Sequence, residues 1–342
     1  MKKKFKYETD GQSVTITKYV GSAPRVEIPA EINRLPVKAI GFGAFHRHPY
    51  LTSVVIPDSV ESIDYSVFYE CLKLKSVTLP ASLTLIKEAT FAGCESLPGI
   101  VIPPSVQVIE ESSFACCDSL TGVFLPASVN FVEKGAFHTC KNLTAITADE
   151  QNQTYCSIDG VLFSKNKKIL IEYPSGKKGA YTIPESVKAV RVWAFAHCAA
   201  LTSVVIPASV KSIGYWQFSS CSALTSVDIP NSVTFIDQGA FAYCESLPGI
   251  VIPDSVKSIG NSAFAHCAAL AGVVIPASVK FIGKAAFAHC AALTSVVIPD
   301  SVKSIGKRAF DDCPHLTSVS LSRKTIVGKF AFPFSAQINY RD

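Results

Sequence analysis

The chain is poor in charge and in the patterns from which catalytic centres are built. Charged residues occupy 17% of its 342 positions, and the formal net charge is only +5. Nucleic-acid footprints usually carry a pI above about 9 with clustered Lys and Arg, so no nucleic-acid partner is expected. No run of about 18 apolar residues occurs, so no helical membrane span is expected either. A nucleophile elbow, a phosphate loop, a dinucleotide fingerprint and an H-E-x-x-H pair are all missing. No enzyme activity and no cofactor are expected. A single methionine and frequent Val-Val-Ile runs disfavour long helices and favour short strands. The opening Met1-Lys-Lys-Lys4 runs into Phe5-Lys-Tyr-Glu-Thr-Asp10, without the apolar region of a secretory signal.

What the chain does have is one phrase, repeated. Leu201-Thr-Ser-Val-Val-Ile-Pro207 with Ala208-Ser-Val-Lys-Ser-Ile-Gly214 returns at residues 293–306 with Asp300 in place of Ala208. Prolines at 57, 80, 103 and 126, and again at 184, 207, 230, 253, 276 and 299, mark an interval of 23 residues, interrupted once. A fixed period of this size indicates a solenoid, in which each coil contacts its neighbours and the array grows by adding coils. One elongated domain made mainly of short β-strands is therefore expected. Alternation in segments such as Val54 and Ile56 gives a strand, and the following proline ends it by removing a ladder donor. The Ala-Phe-Ala-His-Cys stretch, as at 194–198, is expected to form one helical turn. Phenylalanine at 45, 68, 91, 114 and 137, then at 195, 218, 241, 264, 287 and 310, predicts an aromatic column in the core.

In chain order, residues 1–23 read as an N-terminal cap, with a hairpin turning at Asp10-Gly11. The first block of repeats covers 24–147. Residues 148–183 interrupt the register, and 157–163 with 168–173 around Ser164-Lys-Asn-Lys167 read as an inserted β-hairpin. The second block covers 184–321. The pattern decays over 322–342, a C-terminal cap.

The phrase Ala-Phe-x-x-Cys-x-x-Leu-x-x-Val-x-Ile-Pro-x-Ser-Val-x-x-Ile-Gly resembles the BspA-like class of leucine-rich repeats, found in bacterial and protist surface proteins. The resemblance covers roughly residues 24–321. It implies a right-handed leucine-rich superhelix used for adhesion to host, matrix or other cell-surface proteins, with a cell-surface or secreted location. It supplies no catalytic residue to transfer. An intracellular interaction scaffold and a glycan binder are the alternatives. A monomer is expected.

Ten of the twelve cysteines share one repeat position, from Cys71 to Cys313. No C-x-x-C spacing occurs, so buried, reduced thiols are expected instead of zinc ligands. Cys116 and Cys156 fall outside that position and are expected to be accessible. Trp193 and Trp216 occupy one repeat position on consecutive coils, two residues before the column phenylalanine. With Tyr215 and Tyr243 they form a candidate aromatic contact surface, the competing reading being packing against the insert. Lys188, Lys211, Lys257, Lys280 and Lys303 align on successive coils, broken by Thr234. Such a ladder either attracts an acidic partner or is a solvated edge that discourages aggregation. Lys188 and Lys211 join the partner-binding candidates. His197, His266 and His289 share a column by inheritance from the repeat, which argues against a metal site. Asn142 and Asn152 match the N-glycosylation acceptor pattern. The variable positions Thr202, Ser203 and Val205, Pro248, Gly249 and Val251, and Ala271, Gly272 and Val274 carry small side chains and predict a flat strand face.

Overall fold

The computed structural model describes residues 4–341 and contains β-strands, turns and, among these residues, no helix. Two compact units emerge. One comprises residues 1–166 with 174–176, the other residues 167–173 with 177–342. In both, most coils contribute a short first strand from the L-x-x-V-x-I segment and a two-residue second strand from the V-x-x-I segment, whereas residues 97–102 carry the first segment without forming a strand.

The repeated residues explain the coil. Alternating Val and Ile place their side chains inward, so Val54, Ile56, Val60 and Ile63 are all buried. The proline carbonyl then accepts a hydrogen bond from the valine N–H three residues on, as in Pro57 to Val60 and Pro207 to Val210, closing a β-turn. Strands of successive coils pair in parallel. Thus Arg25–Glu27, Ser53–Val55 and Ser76–Thr78 form one sheet, and the second strands from Ser212–Ile213 to Ile326–Val327 form a six-stranded one.

The turn serine and the column cysteine of the repeat each satisfy a carbonyl that the stack would otherwise strand. Ser105 Oγ donates to Leu83 O at 2.8 Å, and Ser255 Oγ to Val233 O at 2.6 Å. Cys94 Sγ donates to Phe68 O at 3.2 Å, and Cys244 Sγ to Phe218 O at the same distance. All ten thiols of the cysteine column are buried. Burial pushes Cys71 up to about 11 and Cys267 up to about 12, since a thiolate there would be desolvated.

The aromatic column is present in each unit. Centroids from Phe45 to Phe137 stand 5.2 to 5.4 Å apart. In the second unit Tyr173 starts the column, its centroid 4.8 Å from that of Phe195, and Phe332 ends it 5.4 Å from Phe310. Strand pairing sets the coil repeat at about 4.7–4.9 Å, so near-parallel rings fill the core with little gap.

The helical turn expected around each column phenylalanine does not form. The residues two before and two after it adopt left-handed backbone on coil after coil: Ala89 and Ala285 at φ 52°, His266 and His289 at 61°. Such residues break an α-turn and bend the chain toward the next coil. Left-handed alanine costs roughly 1–2 kcal/mol, partly offset in glycine by its greater unfolded-state entropy. Ala285→Gly is therefore expected to stabilise the protein by roughly 0.5–1 kcal/mol, read as a raised denaturant midpoint.

The caps differ from each other. Phe5–Thr9 and Val14–Tyr19 form the antiparallel N-terminal hairpin, with Asp10 Oδ1 accepting the backbone N–H groups of Gln12 and Ser13. The C-terminal segment is not a hairpin. Ile326–Val327 and Gln337–Arg341 each add in parallel to the preceding coil, one on each strand column. Within 148–183, Tyr155–Ile158 and Val161–Ser164 form an antiparallel hairpin that turns at Asp159-Gly160, both at positive φ. Ile169–Glu172 and Gly179–Thr182 also take up ladder positions, pairing in parallel with Ala189–Val190 and Leu201–Val205.

Candidate functional site

The strand face carries the most pronounced surface feature, and glycine produces it. Residues 95–103 and 245–253 have the same sequence, Glu-Ser-Leu-Pro-Gly-Ile-Val-Ile-Pro, and in both cases the next coil again has glycine at the strand position, Gly122 or Gly272. Gly249 pairs with Gly272 across adjacent strands. A glycine pair removes the side chains that would cover the ladder and weakens the strands locally. Gly249–Val251 and Gly272–Val274 accordingly form a separate two-stranded sheet between two three-stranded ones.

The result is a trough of about 750 Å³ with Gly249 and Gly272 in its floor and Val251, Val274 and Val297 along it. Val251 is 81% exposed and Val274 78%. The first unit has a counterpart of about 560 Å³ at Gly99 and Gly122, beside the exposed Val101 and Phe124. Sequence reasoning treated these positions as flat. The signal that marks them is glycine at one strand position on two consecutive coils, with outward valine two residues later.

The aromatic candidates lie elsewhere, on the turn side of the second unit. Trp216 is half-buried because its ring lies across Gly239 of the next coil; a Cβ built there would sit 2.4 Å from Trp216 Cδ2. Tyr215 meets Trp216 edge-on at 6.0 Å, and its hydroxyl accepts from Gln238 Nε2 at 3.2 Å. Tyr243 stacks on His266 at 4.3 Å, and His266 stacks on His289 at 4.2 Å. His289 Nδ1 lies 2.7 Å from Asp312 Oδ2. Burial, and then the neighbouring His289, hold His266 below the usual histidine range. Trp216, Tyr243, His266, His289 and Arg308 line a groove of about 220 Å³. Trp193, half-buried, occupies the same column as Trp216 but does not line that groove, and the exposed Lys188 and Lys211 lie beside the second strands instead. The stack therefore brings Trp216 and Tyr243 to one place and separates them from the lysines.

Asn152 is not a glycan acceptor. It is fully buried, its amide donates to Pro126 O and Val129 O, and its carbonyl accepts from the N–H groups of Thr154 and Tyr155. Asn142 remains exposed. Among the described residues no group of three or more His, Cys, Asp or Glu is arranged to hold a metal ion.

Stacked 23-residue coils with an inward leucine, a strand closed by proline and a buried aromatic column define a leucine-rich repeat solenoid. The chain belongs to the BspA-type leucine-rich repeat family, whose profile matches residues 38–169, 177–293 and 234–341. Its fold is similar to that of a leucine-rich repeat protein from Eubacterium ventriosum, with 24% identity over 89% of this chain and 91% of that one, at a TM-score of 0.71. It is also similar to the pneumococcal vaccine antigen PcpA, with 21% identity over all of this chain and 93% of that one, again at 0.71. No curated protein sequence matches the chain.

Proposed function

We propose that the chain is a non-enzymatic recognition protein that binds a protein partner on its strand face, at a cell surface or after secretion. The observation that carries this reading is the valine-lined trough over Gly249 and Gly272. Val251 and Val274, mostly exposed, cost free energy in water at about 25 cal/mol per Å² of apolar surface, and covering them is what a partner would contribute. Exposed apolar patches of this kind mark interaction sites. The trough holds no clustered acid, base and nucleophile, which suits binding over catalysis. The groove at Trp216 and Tyr243 is a subsidiary contact in this reading.

The test is binding to a panel of purified extracellular-matrix and cell-surface proteins. V251D/V274D is expected to weaken the captured interaction at least tenfold, in line with loss of a central apolar contact, while the thermal midpoint stays near that of the parent. W193A/W216A is expected to have a smaller effect. Undiminished binding by V251D/V274D, or a larger loss in W193A/W216A, would move the contact to the aromatic groove.

A further inference from the structure

The second strands of the second unit carry a charge arrangement that the first unit lacks. In four consecutive coils, residues 257–261, 280–284, 303–307 and 326–329, there are six lysines and no acidic residue. They fall in two columns. Lys257, Lys280 and Lys303 lie on one side, their coils tied by Lys280 N–H to Lys257 O at 2.9 Å and Lys303 N–H to Lys280 O at 2.8 Å. Lys284, Lys307 and Lys329 lie on the other. Among the described residues none of the six takes part in an ion pair. The acids near the strip include Asp237, Asp254, Asp300 and Asp311; Asp300 is engaged by Arg341 at 3.1 Å, and Asp311, which lines a groove with Lys284, by Arg308 at 3.3 Å.

The first unit is an internal comparison. Its equivalent segments, 38–42, 61–65, 84–88, 107–111 and 130–134, hold three lysines against six acids. Each of those lysines is paired: Lys38 with Glu61, Lys87 with Asp64 at 2.9 Å, and Lys134 with Glu111 at 3.6 Å. The repeat can thus neutralise lysine at these positions, and in the second unit it does not.

Between the lysine columns runs a narrow stripe. Pairing of Ser258 with Phe281 and of Phe281 with Ser304, followed by Ser304 with Ile326, places these four side chains in line at strand spacing, about 4.8 Å apart. Phe281 is 50% exposed and Ile326 72%. Glycine keeps the strip smooth: a Cβ at Gly283 would lie 2.5 Å from Asn261 N, and one at Gly306 would lie 2.4 Å from Lys284 N. Four extended residues separate the columns by about 13 Å at most.

Uncompensated like charges at this spacing repel one another and create a strong local positive potential. A straight, repeated array of that kind matches an anion whose charges also repeat along a line. We propose that this strip binds a linear anionic polysaccharide running along the stack, with its carboxylate or sulfate groups against the lysine columns and its sugar rings over Phe281 and Ile326. Ser258, Ser304 and Asn261 add hydroxyl and amide groups for sugar hydroxyls. The same serines interrupt the apolar stripe, which disfavours a lipid bilayer, and the mild overall charge disfavours nucleic acid. The proposal is independent of the strand-face reading.

The probe is a fluorescent heparin dodecasaccharide, followed by anisotropy over a range of NaCl concentrations. Binding that weakens with salt is expected. K280Q/K284Q/K303Q/K307Q should weaken it at least tenfold, and F281S several-fold. K38Q/K87Q/K134Q, which removes every lysine from the equivalent segments of the first unit, should leave it unchanged, as should V251D/V274D. Circular dichroism confirms that each variant is folded. The proposal is overturned if the parent does not bind the dodecasaccharide, or if the quadruple variant binds like the parent. It is equally overturned if the first-unit variant loses as much, or if single-stranded DNA, polyglutamate or phosphatidylserine vesicles bind as tightly at the same salt.

Discussion

Phe241→Ala is expected to lower the unfolding free energy by about 3–5 kcal/mol, the usual cost of a large-to-small change at a fully buried aromatic site. The ring is fully buried and stacks at 5.4 Å on both Phe218 and Phe264. Its removal forfeits two ring contacts and leaves a cavity, because backbone bonds hold the neighbouring coils at strand spacing and prevent collapse. Phe332→Ala should cost only about 1 kcal/mol, since this terminal ring is half-exposed and, among the described residues, stacks on Phe310 alone. Both tryptophans belong to the second unit, so their fluorescence during denaturant unfolding reads out the unit that carries both substitutions. Equal losses at the two positions would show that column position within the stack does not govern stability.

The second large effect is a pH dependence set by Glu172. Its side chain is buried in the strand Ile169–Glu172, and burial pushes its carboxyl up to about 8 from an ordinary 4.5, with the Arg191 guanidinium opposing that rise. Below pH 4.5 the carboxyl is protonated in both folded and unfolded chains and contributes no pH dependence. Between 4.5 and about 8 the unfolded chain releases the proton and the folded one retains it, so stability falls as pH rises. Above about 8 both states are ionised and the effect levels off. One pH unit within that window is worth about 1.4 kcal/mol. Glu172→Gln, which is neutral throughout, is expected to gain roughly 3–4 kcal/mol on the parent between pH 5 and pH 8. Parallel stability profiles for the two proteins across that range would mean that Arg191 holds Glu172 ionised in the fold.

The regular coils were legible because a strict period forces like residues into register. Once Phe68 and Phe91 are 23 residues apart in identical surroundings, stacking them requires no knowledge of long-range contacts. The interruption was less legible. Tyr173 precedes Phe195 by 22 residues and is not phenylalanine, so it went unseen as a column member, although its ring stacks on Phe195 at 4.8 Å. Asn152 read as a possible modification site from three letters of sequence. Its burial follows from hydrogen bonds to Pro126 and Val129 on the preceding coil, which local sequence does not encode. The helical turn failed for a similar reason. Ala-Phe-Ala-His-Cys has reasonable helix propensity, but bonds such as Phe264 N–H to Ala286 O and His266 N–H to Ala288 O tie the segment to the next coil and hold His266 left-handed.

By itself, the sequence determined the coil length, the strand and turn order within a coil, the identity of the buried columns and the family. Each of these depends on residues close in the chain or on a period that can be counted. Only the tertiary structure decided which carbonyls Ser and Cys satisfy, that glycines on two successive coils open a valine trough, and that, among the described residues, Lys38, Lys87 and Lys134 are in ion pairs while Lys257, Lys280, Lys284, Lys303, Lys307 and Lys329 are not. Those outcomes depend on what the adjoining coil places a few ångströms away, and a side chain's exposure and charge partners are properties of that neighbour as much as of its own coil.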